Sequence, residues 1–425
     1  MNWKILTGVA ILLVVGIIGS IFIFREGIIS LPEPKPKLSD IKNVVDANNQ
    51  FALDYYSKLK SRESGNIFFS PFSISSAFVM TYEGAKGQTA EEMRSVFYFP
   101  EDSNLRRTQY ASIFDELNKG DKKYKLSSAN ALWAQQDYQF SKDYFENVEK
   151  YYGGKATNLD FKKDPEGSRI TINNWVENQT NDKIQNLIPS GVIKTTTKLV
   201  LTNAVYFKGE WVKQFNKNDT KEEDFRTSNS GTVKAQMMRR TDDEAIFNYA
   251  ENSSLQMLEM LYSGDELSIL FLLPKNDNLT KLESILSTKN ILDWKKNLEE
   301  QRVKVFIPKF KFETKYFIAD DLKTMGIPLA FSGSADFSGM TATGKKDLKI
   351  DEAIHQAFVE VNEEGTEATA ATAIVAVPGL AGPEPHKESK IPVFRADHPF
   401  MFLIQQKSTG NILFIGRVVN PNLQN

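Results

Sequence analysis

The chain has 425 residues, of which 52 are Lys or Arg and 54 are Asp or Glu, so it carries almost no net charge at pH 7. Because there is no excess of positive charge, the composition argues against a nucleic-acid partner. The chain contains no cysteine and only three histidines, His355, His386 and His398. This excludes disulfides, thiol catalysis and cysteine zinc sites and leaves little material for imidazole catalysis, so we expect no metal and no cofactor.

Residues 1–25 predict a membrane segment. From Ile5 to Phe24 the chain has no charged residue, and a helix of that length can cross a hydrocarbon core of roughly 30 Å. The run is longer than the apolar part of a typical signal peptide and ends in Phe24-Arg25 without a small-residue cleavage site, so we favour an uncleaved transmembrane anchor over a cleaved signal segment. With Lys4 ahead of the run, the remainder is expected outside the cell membrane, and cleavage would make it a secreted protein instead.

Residues 26–39 predict a spacer rich in Pro and Lys. Proline alternates with charged residues from Leu31 to Leu38, a composition typical of stiff, extended linkers. We therefore expect a single folded domain over residues 40–425.

Helix signals are concentrated in the first part of that domain. Ser39-Asp40 predicts the start of a helix whose apolar stripe runs from Ile41 to Leu59. Ser70-Pro71 predicts a second helix, with a capping residue followed by proline at the first helical position. Thr89 and Glu92 have the spacing of a capping box and predict the start of a third helix.

Strand signals follow in the rest of the chain. The apolar or alternating runs are Leu199 to Phe207, Leu255 to Leu261, Leu267 to Leu273, Val303 to Phe312, Phe400 to Gln405 and Ile412 to Val418. The second and third runs flank a Ser-Gly-Asp turn, and the last two flank Gly410, so each pair predicts a hairpin. Helices and substantial sheets together predict an α+β domain.

The segment 363–379 reads EEGTEATAATAIVAVPG and combines strand-forming and loop-forming parts. An alternation of period two sends Thr366, Ala368, Ala370 and Thr372 to one face, and all four are small enough for the interior of a crowded sheet. The stretch from Pro378 to Lys390 is rich in proline and glycine and predicts an exposed loop. On composition alone, an Ala/Thr-rich linker or a poorly formed helix remains an alternative.

Several short motifs occur in a characteristic order and spacing. They are Asn66 to Ile74 with Gly84-Ala85, Leu201 to Trp211, Ile307 to Phe310, Ala335 to Met340, His355 to Ala371, and Asp397 to Phe400 with Phe414 to Pro421. Together they resemble the serpin family over roughly residues 41–421. The resemblance implies an α+β serpin fold with three β-sheets, eight to nine α-helices and an exposed C-terminal reactive loop at about residues 363–394.

The resemblance also implies that the chain is not an enzyme but a suicide substrate of serine-type endopeptidases. In that family a proteinase cleaves the reactive loop and is trapped as an acyl-enzyme while the freed hinge inserts into the main sheet, a standard example of strand addition and stored strain. The matching hinge residues are Glu363, Glu364, Gly365, Thr366, Glu367, Ala368, Thr369, Ala370, Ala371 and Thr372. The alternative is a non-inhibitory serpin that acts as a binding or chaperone-like protein.

Further residues match positions of the family. Ser70, Ser73, Asn203 and His355 match a cluster beneath the opening strands of the main sheet, and Trp211 matches the tryptophan where insertion begins.

Two hinge residues carry further expectations. We expect Gly365 to supply the backbone freedom that a swinging strand needs. Glu364 departs from the Lys or similar residue often seen at its position, and we expect its side chain to be exposed.

The family's spacing from Glu363 places the reactive bond at Gly379–Leu380, with Val377 and Pro378 as alternatives. These residues are small or apolar, which favours a serine proteinase of elastase-, subtilisin- or chymotrypsin-like specificity, or alternatively a cysteine proteinase, as the partner. We expect the inhibitor to be a monomer.

Overall fold

The structure is a computed structural model that describes residues 36–118, 123–228, 231–366 and 391–423. These residues belong to one compact unit that begins at Pro36. The predicted membrane segment and most of the predicted spacer lie outside the described residues, as do residues 367–390 of the predicted reactive loop. Within the described ranges, no helix combines the length and the apolar character needed to span a membrane.

Nine α-helices lie in the described part of the chain, most of them in its first half. They are α1 (Val44–Lys60), α2 (Pro71–Gly84), α3 (Gly87–Phe97), α4 (Ser103–Asn118), α5 (Lys142–Tyr152), α6 (Pro165–Gln179), α7 (Leu279–Ser284), α8 (Thr288–Lys295) and α9 (Ala319–Met325). Short 3-10 helices cover Leu38–Asp40, Lys217–Asp219, Lys275–Asp277 and Leu329–Phe331.

The strands form three sheets, which confirms the predicted α+β class. In chain order they are β1 (Ile67–Phe69), β2 (Tyr124–Gln135), β3 (Lys155–Leu159), β4 (Leu199–Glu210), β5 (Lys221–Arg226), β6 (Thr232–Arg240), β7 (Ile246–Glu251), β8 (Leu255–Leu261), β9 (Leu267–Pro274), β10 (Glu299–Arg302), β11 (Lys304–Pro308), β12 (Phe310–Phe317), β13 (Glu352–Val361), β14 (Gly365–Thr366), β15 (Val393–Arg395), β16 (Phe400–Gln406) and β17 (Ile412–Val418). The seven-stranded sheet has the order β1-β17-β16-β9-β8-β7-β10, the four-stranded sheet β15-β11-β6-β5, and the main sheet β12-β13-β14-β4-β2-β3.

The first helix begins later than its sequence predicts. Ser39 lies in a 3-10 turn, where the Asp40 carboxylate accepts a hydrogen bond of 3.0 Å from the backbone N–H of Lys37. The helix starts at Val44, and the Asn43 side chain caps it by accepting from the Asp46 N–H at 2.8 Å. The prediction at Ser39 was wrong because its neighbour Asp40 closes a local turn instead of opening the helix.

The other two predicted helix starts have different outcomes. Ser70 caps α2 and Pro71 is its first residue, which confirms that prediction. The capping box was wrong, because α3 begins at Gly87, before Thr89. The Thr89 hydroxyl accepts from the Asp336 N–H at 3.0 Å and the Glu92 carboxylate accepts from the Leu329 N–H at 2.9 Å, so donors far away in sequence occupy both side chains.

The strand predictions hold for β4 and for the hairpins β8–β9 and β16–β17. The alternating run from Val303 to Phe312 divides at Lys309 into β11, in the four-stranded sheet, and β12, in the main sheet. The aromatic residues Phe310 and Phe400 are buried, with ring centroids 6.0 Å apart, so the core joins the main sheet to the seven-stranded sheet.

The main sheet is closed along most of its length and occupied by a short extra strand at one end. Residues 352–358 of β13 pair directly and in parallel with residues 200–206 of β4. Beyond this stretch β14 lies between them, with Thr366 opposite Val361 on one side and opposite Gly209 on the other, antiparallel to both. We call this end of the sheet its upper end, and it positions the candidate site.

Candidate functional site

The predicted hinge begins as a tight turn between β13 and β14. The Asn362 side-chain oxygen accepts hydrogen bonds from the backbone N–H groups of Glu364 (3.0 Å) and Gly365 (3.2 Å), and the Asn362 N–H donates to the Gly365 carbonyl at 2.9 Å. Asparagine side chains stabilise turns in this way. The chain is therefore led back into the sheet at the point where β13 ends.

Gly365 is required by a close approach of two backbones. A Cβ atom at this position would lie 2.0 Å from the Gly209 carbonyl oxygen and 2.7 Å from the Glu210 Cα. Its φ is not in the positive range that favours glycine. A packing requirement therefore accounts for Gly365 in this structure, since any side chain would push β14 out of the sheet, and the backbone freedom expected of Gly365 stays a prediction.

Thr366 is anchored by an aromatic pair beneath it. Its hydroxyl hydrogen-bonds to the hydroxyl of Tyr262 at 2.7 Å, and both residues are buried. The Tyr262 ring stacks on Trp211 with centroids 4.6 Å apart. Trp211 in turn donates from its indole N–H to the Asn362 carbonyl at 3.0 Å and from its backbone N–H to the Glu364 carbonyl at 2.8 Å. Trp211 thus contacts the hinge turn. The sequence analysis missed Tyr262, because an aromatic residue after an apolar run is typical of a core.

Glu363 has a buried carboxylate with two partners. Lys309 forms an ion pair with it at 2.9 Å, and the Thr220 hydroxyl donates to it at 2.7 Å. Burial alone would raise the pKa of Glu363, but the hydrogen bonds from Lys309 and Thr220 outweigh it and hold the pKa below its ordinary value. The first hinge carboxylate is therefore held in its charged form.

Glu364 is buried, with 6% of its surface exposed, so the expectation of an exposed side chain was wrong. One carboxylate oxygen, Oε1, pairs with the Lys217 ammonium. The other, Oε2, is buried without a hydrogen-bond partner among the described residues. The expectation failed because it treated the hinge as open loop, whereas the turn at Asn362 folds Glu364 against the segment after Trp211.

His355 is fully buried where β13 and β4 pair directly. Its Nε2 accepts a hydrogen bond of 3.1 Å from the backbone N–H of Ser70, so the proton resides on Nδ1, which donates to the side-chain oxygen of Asn203. Burial lowers the pKa of His355 to about 3, and the ring is neutral at physiological pH. Both nitrogens are occupied by amide partners, which leaves neither to act as a base toward Ser70 or Ser73.

The predicted cluster of Ser70, Ser73, Asn203 and His355 is brought together in the structure. The Asn203 amide donates to the Ser73 carbonyl at 2.8 Å, to the Ser73 hydroxyl at 2.6 Å and to the Asn130 side-chain oxygen. Asn130 was missed by the sequence analysis. The cluster ties α2 to three neighbouring strands of the main sheet, β2, β4 and β13, at the level of the His355–Asn203 pair.

A charged cluster lies just beyond the predicted reactive loop. After β15, His398 donates from Nε2 to the Pro274 carbonyl at 2.9 Å, and its Nδ1 lies 2.8 Å from Asp397 and 3.4 Å from Asp277. Arg226 pairs with both carboxylates. Burial would lower the pKa of His398, but its bonds to Asp397 and Pro274 outweigh that effect and raise the pKa.

The remaining predicted site residues lie outside the described residues. These are the hinge positions Glu367 to Thr372 and the reactive-bond candidates Val377, Pro378, Gly379 and Leu380. Among the residues that the structure describes, no cluster of three or more His, Asp or Glu side chains is arranged to hold a metal ion.

Comparisons with known proteins agree on one family. The model of the family described as Serpin (serine protease inhibitor) matches residues 46–421. An uncharacterized serpin-like protein of Methanosarcina mazei is 39% identical over 420 residues, which are 97% of this chain and 96% of that protein. Leukocyte elastase inhibitor A of Rattus norvegicus is 39% identical over 390 residues, 90% of this chain and 100% of that protein. The solved structure of uncleaved ovalbumin has a TM-score of 0.79 at 31% identity, covering 89% of this chain and 100% of that one.

Proposed function

The chain belongs to the serpin family, a family of proteinase inhibitors rather than enzymes, and we propose that it is a suicide inhibitor of serine-type endopeptidases. A proteinase cleaves the reactive loop, and the hinge then inserts into the main sheet while the proteinase is still held as an acyl-enzyme. The observation that carries the proposal is the short strand Gly365–Thr366, which already lies between β13 and β4.

The register of this strand supports its extension. Continued in the same register, residues 367–372 would lie antiparallel to β13 and β4, and each new ladder hydrogen bond contributes a net of about 0.5–1.5 kcal/mol. Thr366 places its side chain in the interior beside Tyr262. An alternation of period two would send Ala368, Ala370 and Thr372 to the same side, and none of them brings a charge into the sheet.

We further propose that the target has elastase-, subtilisin- or chymotrypsin-like specificity. The bond Gly379–Leu380 and its alternatives at Val377 and Pro378 offer small or apolar side chains, which suit pockets of that kind. A relative named leukocyte elastase inhibitor A favours the same class. A cysteine proteinase remains a secondary target in this proposal.

We also propose that the inhibitor works outside the cell membrane, anchored by residues 1–25. The support is the charge-free run from Ile5 to Phe24. The match to the Methanosarcina mazei protein leaves only 3% of the chain unmatched and therefore reaches into this segment. Partitioning of the full chain between membrane and soluble fractions tests the anchor, and a soluble product that has lost the segment would contradict it.

The function is tested by mixing the full chain with elastase, subtilisin and chymotrypsin in turn. We expect an adduct with at least one of them that survives boiling in detergent, together with a released fragment whose mass identifies the cleaved bond. Cleavage of the loop by all three without any adduct would instead favour the non-inhibitory, binding or chaperone-like serpin.

A further inference from the structure

A single short segment contacts both carboxylates at the start of the hinge. The 3-10 turn Lys217–Asp219 follows Trp211 in the chain, and the Asn216 side chain caps it by accepting from the Asn218 N–H at 3.0 Å. Lys217 pairs with Glu364, and Thr220, directly after the turn, donates to Glu363. The segment Lys217–Thr220 therefore binds the side chains of both Glu363 and Glu364 at the start of the hinge.

The buried carboxylate of Glu364 depends on Lys217. A charged group removed from water is destabilising unless it is paired. Oε2 of Glu364 has no hydrogen-bond partner in the described part of the chain, whereas Oε1 is bound by Lys217. The Lys217 side chain is 62% exposed and reaches from the surface to cover the carboxylate. Without this ammonium group, Glu364 gains more by moving into solvent than by staying in the turn.

Displacement of Glu364 would disturb the strand that follows it. The Glu364 carbonyl accepts from Trp211, the Glu363 carbonyl accepts from the Phe215 N–H at 2.9 Å, and Gly365 comes next in the chain. Because Gly365 fits only by close backbone contact with Gly209, β14 has little room to adjust to a shifted turn.

From these contacts we infer that Lys217 is a positioning residue for loop insertion. Its ion pair with Glu364 keeps the first hinge residues in the sheet before cleavage, so that insertion extends an existing strand and does not have to start a new one. Ordering a chain segment has an entropic cost, and in the intact inhibitor Gly365 and Thr366 are already ordered in the sheet. The inference rests on the proposed inhibitory function.

The inference predicts a change in the ratio of clipped inhibitor to trapped proteinase and no change in the rate at which inhibitor and proteinase associate. Once the acyl-enzyme has formed, insertion competes with hydrolysis, so a slower start of insertion releases more clipped inhibitor for each proteinase trapped. Lys217 does not lie in the loop that the proteinase cleaves, so the rate of association should be unchanged. A contact that merely restrained the loop would have the opposite signature, faster association with an unchanged outcome.

The first test compares Lys217→Met and Glu364→Gln with Lys221→Met, which removes an exposed lysine four residues further along the chain. We expect Lys217→Met to yield roughly two- to fivefold more clipped inhibitor per trapped proteinase, the range that follows from losing a partly exposed ion pair. Glu364→Gln should have a smaller effect, because a neutral amide needs no counter-charge when it is buried. Lys221→Met should behave as the unaltered chain. The charge swap Lys217→Glu with Glu364→Lys should restore trapping toward the original level.

A second measurement does not depend on any proteinase. Hydrogen–deuterium exchange of the intact chain, read by mass spectrometry, should become faster in Lys217→Met at residues 363–366 and at the Trp211 amide, while Lys221→Met leaves both unchanged. Unchanged exchange at both places overturns the positioning role, as does faster association with unchanged trapping. If the unaltered chain traps no proteinase yet exchange still accelerates, the proposed function fails while Lys217 is still shown to hold the hinge.

Discussion

His355 and Asn203 lie directly opposite each other on β13 and β4, and the histidine Nδ1–H donates to the asparagine side-chain oxygen across the gap between the strands. These two strands must separate for a new strand to pass between them. The pair therefore joins the two strands at the place where the proposed insertion requires them to separate, and it does so with neutral groups.

Removing one member should loosen this fastening. In Asn203→Ala the buried Nδ1–H of His355 loses its partner, and a buried polar group left unpaired costs about 1–3 kcal/mol. We expect the free energy of unfolding of the intact chain, measured in urea, to fall by that order. Asn104→Ala, on the exposed surface of α4, is the control and should change it by about 0.5 kcal/mol or less. A change at Asn203 no larger than at Asn104 would contradict the role of the pair.

A charge at Thr366 should convert the inhibitor into a substrate. Thr366 is 1% exposed and hydrogen-bonded to Tyr262, so Thr366→Arg would require an unpaired charge in the sheet interior. We expect the loop of this variant to be cut as before while the detergent-resistant adduct disappears. Thr366→Ser keeps the hydroxyl and should still trap the proteinase, and efficient trapping by the arginine variant would refute the model.

Gly365 offers a test that depends on packing alone. In Gly365→Ala the new Cβ meets the Gly209 carbonyl oxygen at 2.0 Å, and overpacking of this kind costs about 1–3 kcal/mol. We expect a lower melting temperature for the intact chain. Gly333→Ala, where nothing lies within 4 Å of the added Cβ, should melt like the original. Equal melting of all three would mean that β14 does not sit against Gly209.

The two buried histidines predict a stability maximum near pH 6.5. The folded pKa of His398 is raised, so its contribution is complete below the unfolded pKa of about 6.5 and is lost as the pH rises through the folded value. The folded pKa of His355 is lowered to about 3, so its contribution is present above about pH 6.5 and is lost as the pH falls.

Melting temperatures measured between pH 5 and 9 check this prediction. We expect His398→Gln to lower the melting temperature at acid pH and to flatten the decline on the alkaline side. The slope on the acid side should be unchanged, because it comes from His355. Asp397→Asn, which removes the main partner of His398, should act in the same direction. An alkaline decline that persists in both variants would assign it to other groups.

Sequence reasoning reached the fold class because it depends on local pattern, whereas most of the residues in the site were reached through the resemblance to the serpin family. Runs of apolar residues identify β4 and the two hairpins, and Ser70-Pro71 marks a helix start that needs no distant partner. It failed where a partner far away in sequence decides the outcome. Thr89 bonds to Asp336 instead of capping its own helix, and the burial of Glu364 depends on Lys217, which no periodicity connects to it.

The position of β14 also divides the path of the proposed insertion into two parts. With Thr366 opposite Val361 and Gly209, the same register would bring Thr369 opposite Phe358 and Tyr206, the first residues that are paired directly with each other. Up to Ala368 the inserting segment would lie between parts of β13 and β4 that are not paired with each other. From Thr369 onward each inserted residue would replace an existing pairing between these two strands. Thr372 would lie between His355 and Asn203, so the last predicted hinge residue is the one that would break their hydrogen bond. In the proposed insertion, the residues up to Ala368 would therefore enter and leave the sheet without breaking any pairing between β13 and β4. From Thr369 onward, leaving the sheet would require the bonds between these two strands to form again.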